Sequence, residues 1–110
     1  MKRVMWIEQK SGESVGPARI GWAEVKDRGK RIDYAGRIFR TLRGRGNDAN
    51  FRDLESGDDY WISGCKKNGE DAITTIEVEI DDDALQEYWL NIRKSPEDIK
   101  VKKFRARGKY

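Results

Sequence analysis

Ala49-Asn50-Phe51-Arg52-Asp53-Leu54-Glu55 and Asp59-Tyr60-Trp61-Ile62-Ser63-Gly64 are two short runs of mixed apolar and polar residues that meet at Ser56-Gly57. A Ser-Gly tip supplies the positive backbone angles that a tight turn needs, so the two runs read as an antiparallel hairpin carrying Phe51, Leu54, Tyr60, Trp61 and Ile62. The same signature recurs at Arg28-Gly29 and at Asn68-Gly69. Together the three turns order much of the chain as a meander of antiparallel strands.

Upstream, residues 4–8 read as a first strand, and the Ser11-Gly12 and Gly16-Pro17 pairs break the polar stretch that follows. Residues 18–27 alternate, with Ile20 and Trp22 on one face and Gly21, Ala23 and Val25 on the other; the small residues there suggest close packing against a neighbour. Residues 30–42 suit one bent strand or two short ones. Unbroken alternation puts Ile32, Tyr34, Ile38 and Leu42 on one face with Arg37, Phe39 and Arg43 opposite. An extra residue at a Gly36 bulge turns Phe39 inward and Ile38 outward. Both registers stay open.

After Asn68-Gly69 the chain enters residues 73–80, where Thr74, Ile76, Val78 and Ile80 line one side of a half-buried strand and Glu77 and Glu79 the other. At Asp81 the period changes. Leu85, Tyr88, Trp89 and Ile92 form one apolar stripe of a helix over residues 82–94, with Asp83 and Gln86 as a capping box and Ser95-Pro96 as the stop. Ile99 and Val101 suggest a short edge strand, and residues 102–110 a basic, flexible tail. The expected fold is a single mainly β domain over residues 1–101: five or six antiparallel strands curled or closed into a small SH3-like barrel, with one C-terminal helix. A flat sheet crossed by the helix is the alternative.

At 110 residues the chain can bury an adequate core without staples. Cys65 has no intrachain partner, which excludes a disulfide framework and points to a reducing cytoplasm. The opening Met1-Lys2-Arg3-Val4-Met5-Trp6-Ile7-Glu8 is too short in apolar residues for a signal peptide or a membrane span. The chain has no histidine, which removes the commonest general base and zinc ligand. Lys66 and Lys67 beside Cys65 would favour its thiolate, against which stands a half-buried structural thiol. Asp81, Asp82 and Asp83 read as helix-capping charge rather than a metal site, and Glu77 and Glu79 as an exposed polar face. No metal or cofactor is implied.

Charge is segregated. Residues 1–45 hold twelve basic and five acidic side chains, residues 46–94 five and thirteen, and residues 95–110 six and two, giving +7, −8 and +4. Cross-strand ion pairs would consume this internally, whereas a dipolar surface would orient an acidic partner. The basic groups form two clusters: Arg37, Arg40, Arg43 and Arg45 at one strand end, and Lys100, Lys102, Lys103, Arg105, Arg107 and Lys109 along the tail. Trp89 and Trp22 look like core, while Trp6 or Trp61, if exposed, would serve as a stacking platform or interface anchor.

Trp6-Ile7-Glu8-Gln9-Lys10-Ser11-Gly12, Gly16-Pro17-Ala18-Arg19-Ile20-Gly21, Tyr34-x-Gly36-Arg37-x-Phe39 and Tyr60-Trp61-Ile62-Ser63-Gly64 resemble a group of small bacterial proteins of unknown function. Some of that group carry the label deoxyxylulose phosphate synthase. Enzymes of that name are much longer thiamine diphosphate proteins with a Gly-Asp-Gly…Asn element, and only Gly57-Asp58-Asp59 occurs here, at a hairpin tip. The expectation is therefore a non-catalytic binding module without cofactor. Its basic surface and tail would contact an acidic partner, nucleic acid slightly ahead of protein. A protein interaction module, an inhibitor or assembly factor using exposed aromatics, is the alternative.

Overall fold

The computed structural model of the chain describes residues 1–12, 16–42 and 49–108. Among these residues eight strands form one sheet: β1 Lys2–Gln9, β2 Ala18–Lys26, β3 Arg31–Tyr34, β4 Arg37–Thr41, β5 Phe51–Asp53, β6 Asp59–Gly64, β7 Ile76–Ile80 and β8 Lys103–Ala106. The first six follow one another as a meander, and β1 pairs with both β6 and β2, so these six close into an antiparallel barrel. The flat sheet is thereby excluded. β7 and β8 lie outside the ring: β7 adds in parallel to the start of β2, and β8 pairs antiparallel with β7.

Alternation along β1 and β2 builds two cores, one on each side of the same ladder. Met5, Ile7, Ala23, Ile32, Phe39, Phe51 and Ile62 fill the barrel. Val4, Trp6, Ala18 and Ile20 point out of it and meet Val78, Ile80, Ala84, Tyr88, Trp89 and Ala106 beneath β7, β8 and the helical segment. Successive strand residues face opposite ways, so β1 reads Val4-Met5-Trp6-Ile7 without a polar break because each side of it is covered. Tyr60 joins the barrel cluster and Trp61 the outer one, as adjacent strand residues must.

Turn chemistry settles the open register. Ala35 and Gly36 have φ of 51° and 78°, a two-residue turn that places Tyr34 opposite Arg37 and Ile32 opposite Phe39. Residues 30–42 therefore contain two strands, with Phe39 fully buried and Ile38 outward at 37 % exposure. The glycine marks a hairpin, not a bulge. Asn68-Gly69 does turn the chain, with Gly69 N–H donating to the Lys66 carbonyl at 3.1 Å, but it closes no hairpin. Both edges of β6 are already taken by β1 and β5, so the chain crosses over and β7 begins only at Ile76.

The helical segment occupies residues 82–92 instead of 82–94, with the expected stripe of Leu85, Tyr88, Trp89 and Ile92 on the outer core. It opens with a tight turn over Asp82–Ala84 and widens to a π-helix over Glu87–Ile92, where Arg93 N–H reaches the Tyr88 carbonyl at 2.9 Å. The capping box of Asp83 and Gln86 does not form, because Asp83 lies inside the first turn and not at its N-cap. Asp81 occupies the N-cap and its side chain makes no capping bond, because stronger partners on β2 and β3 engage its carboxylate. The edge strand expected at Ile99 and Val101 lies instead at Lys103–Ala106, inside the segment read as a tail. Phe104 and Ala106 alternate with Lys103 and Arg105, and their apolar side closes the outer core.

The register has an energetic signature. Phe39→Ala should lower the unfolding free energy by about 3–5 kcal/mol, while Ile38→Ala should stay within about 0.5 kcal/mol. Urea unfolding of the two variants checks the assignment, and equal losses would contradict it.

Candidate functional site

One end of the barrel is open. There the end of β1, the start of β2, the β3–β4 turn and the start of β6 surround a cleft of about 450 Å³. Its apolar lining comes from Ile7, Pro17, Phe39 and the rings of Tyr34 and Tyr60, and its polar lining from Gln9, Arg19, Arg37, Glu79 and Asp81. Tyr60 packs edge-on to Phe39 with ring centroids 4.7 Å apart, which connects the cleft to the barrel core.

The polar wall is a built network. β2 pairs with β7 over residues 18–20 and with β3 over residues 24–26, which leaves Gly21 in the gap between the two partners. Over Gly21, Asp81 from the end of β7 meets Tyr34 from the end of β3, and the tyrosine hydroxyl donates to Asp81 Oδ2 at 2.5 Å. Arg19 donates to the other oxygen of Asp81 and, at 2.6 Å, to Glu79. A Cβ on residue 21 would collide with both Asp81 and Tyr34, so the glycine is required by this close approach. Burial and the Asp81 carboxylate together push the Tyr34 phenol well above its ordinary range, and the Asp81 bond raises the Arg19 guanidinium further.

Beside Tyr34 on the β3–β4 hairpin, Arg37 donates to Asp53 at 2.6 Å. Asp53 is fully buried while the Arg37 side chain is 48 % exposed. The backbone N–H of Glu55, at 2.9 Å, also points at the Asp53 carboxylate. Burial works to raise the Asp53 pKa, but Arg37 and the backbone donors of Glu55 and Ser56 outweigh it and hold the group below the usual carboxylate range. The result is a guanidinium fixed from behind, with donors left over at the cleft rim. The Tyr60 hydroxyl has no hydrogen-bond partner among the described residues.

The expected sites are partly dispersed. Arg37 faces the mouth, but Arg40, three residues on, points to the outer face and pairs with Asp27 at 2.9 Å, so the arginine cluster is split. Arg43, Arg45 and Lys109 lie outside the described residues. Lys102 pairs with Asp82 at 2.8 Å, Lys103 with Glu79 and Arg105 with Glu77, each at 3.6 Å. Lys100 and Arg107 are exposed and have no ion pair among the described residues. Trp6 is no surface anchor. It is fully buried on the outward side of β1, with its indole N–H donating to Glu8 at 3.1 Å. Trp61 is half-buried against the outer core. Burial raises the Cys65 thiol far above its ordinary value, which stands against the reactive-thiolate reading despite Lys66 and Lys67.

Arg19, Tyr34 and Asp81 are not legible as site residues in the sequence, because a parallel β2–β7 pairing unites them and no local pattern announces it. Gly21 was the available signal. Among the described residues no cluster of acidic or sulfur side chains could hold a metal, and no helix is long and apolar enough to cross a membrane. No family model, curated protein or solved structure matches the chain.

Gly21→Ala should lower the unfolding free energy by about 1–3 kcal/mol through overpacking. It should also let the Tyr34 phenol fall back toward about 10; urea unfolding and ultraviolet titration of tyrosine read the two effects, and an unchanged midpoint would refute the packing argument. Asp53 gives a pH signature. Because its folded pKa lies below the unfolded value of about 3.9, the stability it lends is present above that pH and lost as pH falls toward the folded value. Asp53→Asn should therefore be less stable than the parent at neutral pH, with the difference narrowing in acid.

Proposed function

We propose that the protein is a non-catalytic binding module that receives an acidic partner along its barrel mouth and β8 flank, with an acidic protein segment ahead of nucleic acid. One observation carries this reading. Three adjoining depressions share Glu79 in their walls and bring Arg37 at the mouth onto the same surface as Lys102, Lys103 and Arg105. The cations are gathered although the chain presents them far apart.

The preference for a protein partner rests on what separates those cations. Glu77, Glu79, Asp81 and Asp82 lie between them on the same surface. A polyphosphate carries charge at every step and would be repelled there, whereas a protein segment can offer carboxylates singly, opposite Arg37 or Lys103. The apolar floor of Pro17, Phe39 and Tyr60 would accept an intervening side chain. A cytoplasmic, SH3-like module belongs to the same proposal, supported by the single half-buried thiol and the short, hairpin-linked strands.

Fluorescence anisotropy with a labelled glutamate-rich peptide and with oligothymidylate, between about 50 and 200 mM salt, separates the partners. The peptide should bind, and Arg37→Ala or the pair Lys103→Glu and Arg105→Glu should weaken it roughly tenfold or more, as loss of a charge-assisted bond implies. Oligothymidylate binding with a log–log salt slope near about −3, the value for four engaged cations, would transfer the function to nucleic acid. Binding of neither would remove the proposal.

A further inference from the structure

We infer that the free edge of β8 takes one more strand, an extended segment of an acidic partner protein in which carboxylate and apolar side chains alternate. The inference rests on the acidic-partner reading and gives it a mode of attachment. The sheet order ends at β8, whose only strand partner among the described residues is β7. Ile80 N–H donates to the Lys102 carbonyl at 2.7 Å, and Val78 and Ile76 lie opposite Phe104 and Ala106. In an antiparallel ladder alternate residues direct both backbone groups to the same side, so Lys102, Phe104 and Ala106 serve β7. Lys103 and Arg105 therefore turn their N–H and C=O groups outward, and among the described residues nothing bonds to them.

Side chains specify what can lie there. Lys103 and Arg105 project on one face of β8, 75 % and 71 % exposed, while Phe104 and Ala106 project on the other, against the outer core. A strand laid along the edge would meet cations on one face and apolar groups on the other. Acidic and apolar residues in alternation are the complement, and β7 already shows it: Ile76-Glu77-Val78-Glu79-Ile80 pairs with the opposite edge of β8 in this register. The contacts to Glu77 and Glu79 are long, at 3.6 Å, and both cations are largely exposed, so Lys103 and Arg105 are able to bridge a second carboxylate.

A second copy of this chain is a poor occupant. Antiparallel pairing of two β8 edges would set Lys103 and Arg105 against the same cations of the other copy, and like charges directly opposite destabilise a ladder. Edge lysines commonly block such self-association. Lys100 and Arg107, exposed at either end of β8, extend the attraction toward an acidic strand.

A peptide of alternating glutamate and valine tests the mode against the intact chain. On saturation, hydrogen exchange at the Lys103 and Arg105 amides should slow, and Arg105→Pro, which deletes an outward N–H that the fold does not use, should weaken binding about tenfold or more. The same peptide N-methylated at alternate backbone amides keeps every charge but loses its ladder donors, so it should also bind about tenfold or more weakly. That comparison uses the unaltered protein and does not depend on the proline variant folding. Equal binding of the methylated peptide, or unchanged exchange at both amides, would overturn strand addition while leaving the acidic-partner surface standing. No binding of the parent peptide would overturn both. Dimerisation of the chain alone that Arg105→Pro abolishes would replace the partner with a second copy.

Discussion

The β1–β2 ladder is the constraint on which the rest of the structure depends, because both cores are built on it. On one side it closes the barrel with Met5 and Ile7; on the other it floors the outer core with Val4, Trp6 and Ile20. Burial on both faces extends to Glu8, a charge that stays inside only because it is fully engaged: Trp6 donates to one oxygen and Lys10, at 2.7 Å, to the other. An unpaired carboxylate in that position would carry a desolvation cost that the ladder could not offset.

The length of β2 follows from the same ladder and produces the cleft. One edge of β2 runs along β1, while the other is divided between β7 and β3. Where the two partners stop short of one another, side chains from distant parts of the chain are forced together over Gly21. Tyr34 and Asp81 are 47 residues apart in sequence and share a hydrogen bond. The mouth is thus a seam between a meander that closed and a strand that joined it from outside.

Charge segregation in the sequence is largely resolved by this arrangement. The acidic strand β7 lies between basic residues of β2 and β8, so Glu79 meets Arg19 and Lys103, and Glu77 meets Arg105. On the barrel exterior Arg31 and Lys26 hold the Asp33 carboxyl down at about 2. Much of the basic surplus is therefore internal chemistry. What remains uncommitted is smaller and better defined: the spare donors of Arg37, the weakly held Lys103 and Arg105, and Lys100 and Arg107, which have no ion pair among the described residues.

By itself the sequence determined the local structure. The hairpins at Arg28-Gly29 and Ser56-Gly57, the faces of residues 18–27, the buried side of β7 and the aromatic stripe of the helical segment are all short-range properties of backbone angle and period. It also carried one trace of the site, in the small residue at Gly21. Tertiary structure alone decided the rest, because pairing partners are chosen by which edges remain free. β6 was already flanked, so Asn68-Gly69 could not close a hairpin; β7 therefore joined β2 in parallel, the Asp81 carboxylate turned from capping to Arg19 and Tyr34, and the residues read as a tail became β8. Trp6 went inside for the same reason, since no local pattern records that the outward face of β1 would itself be covered.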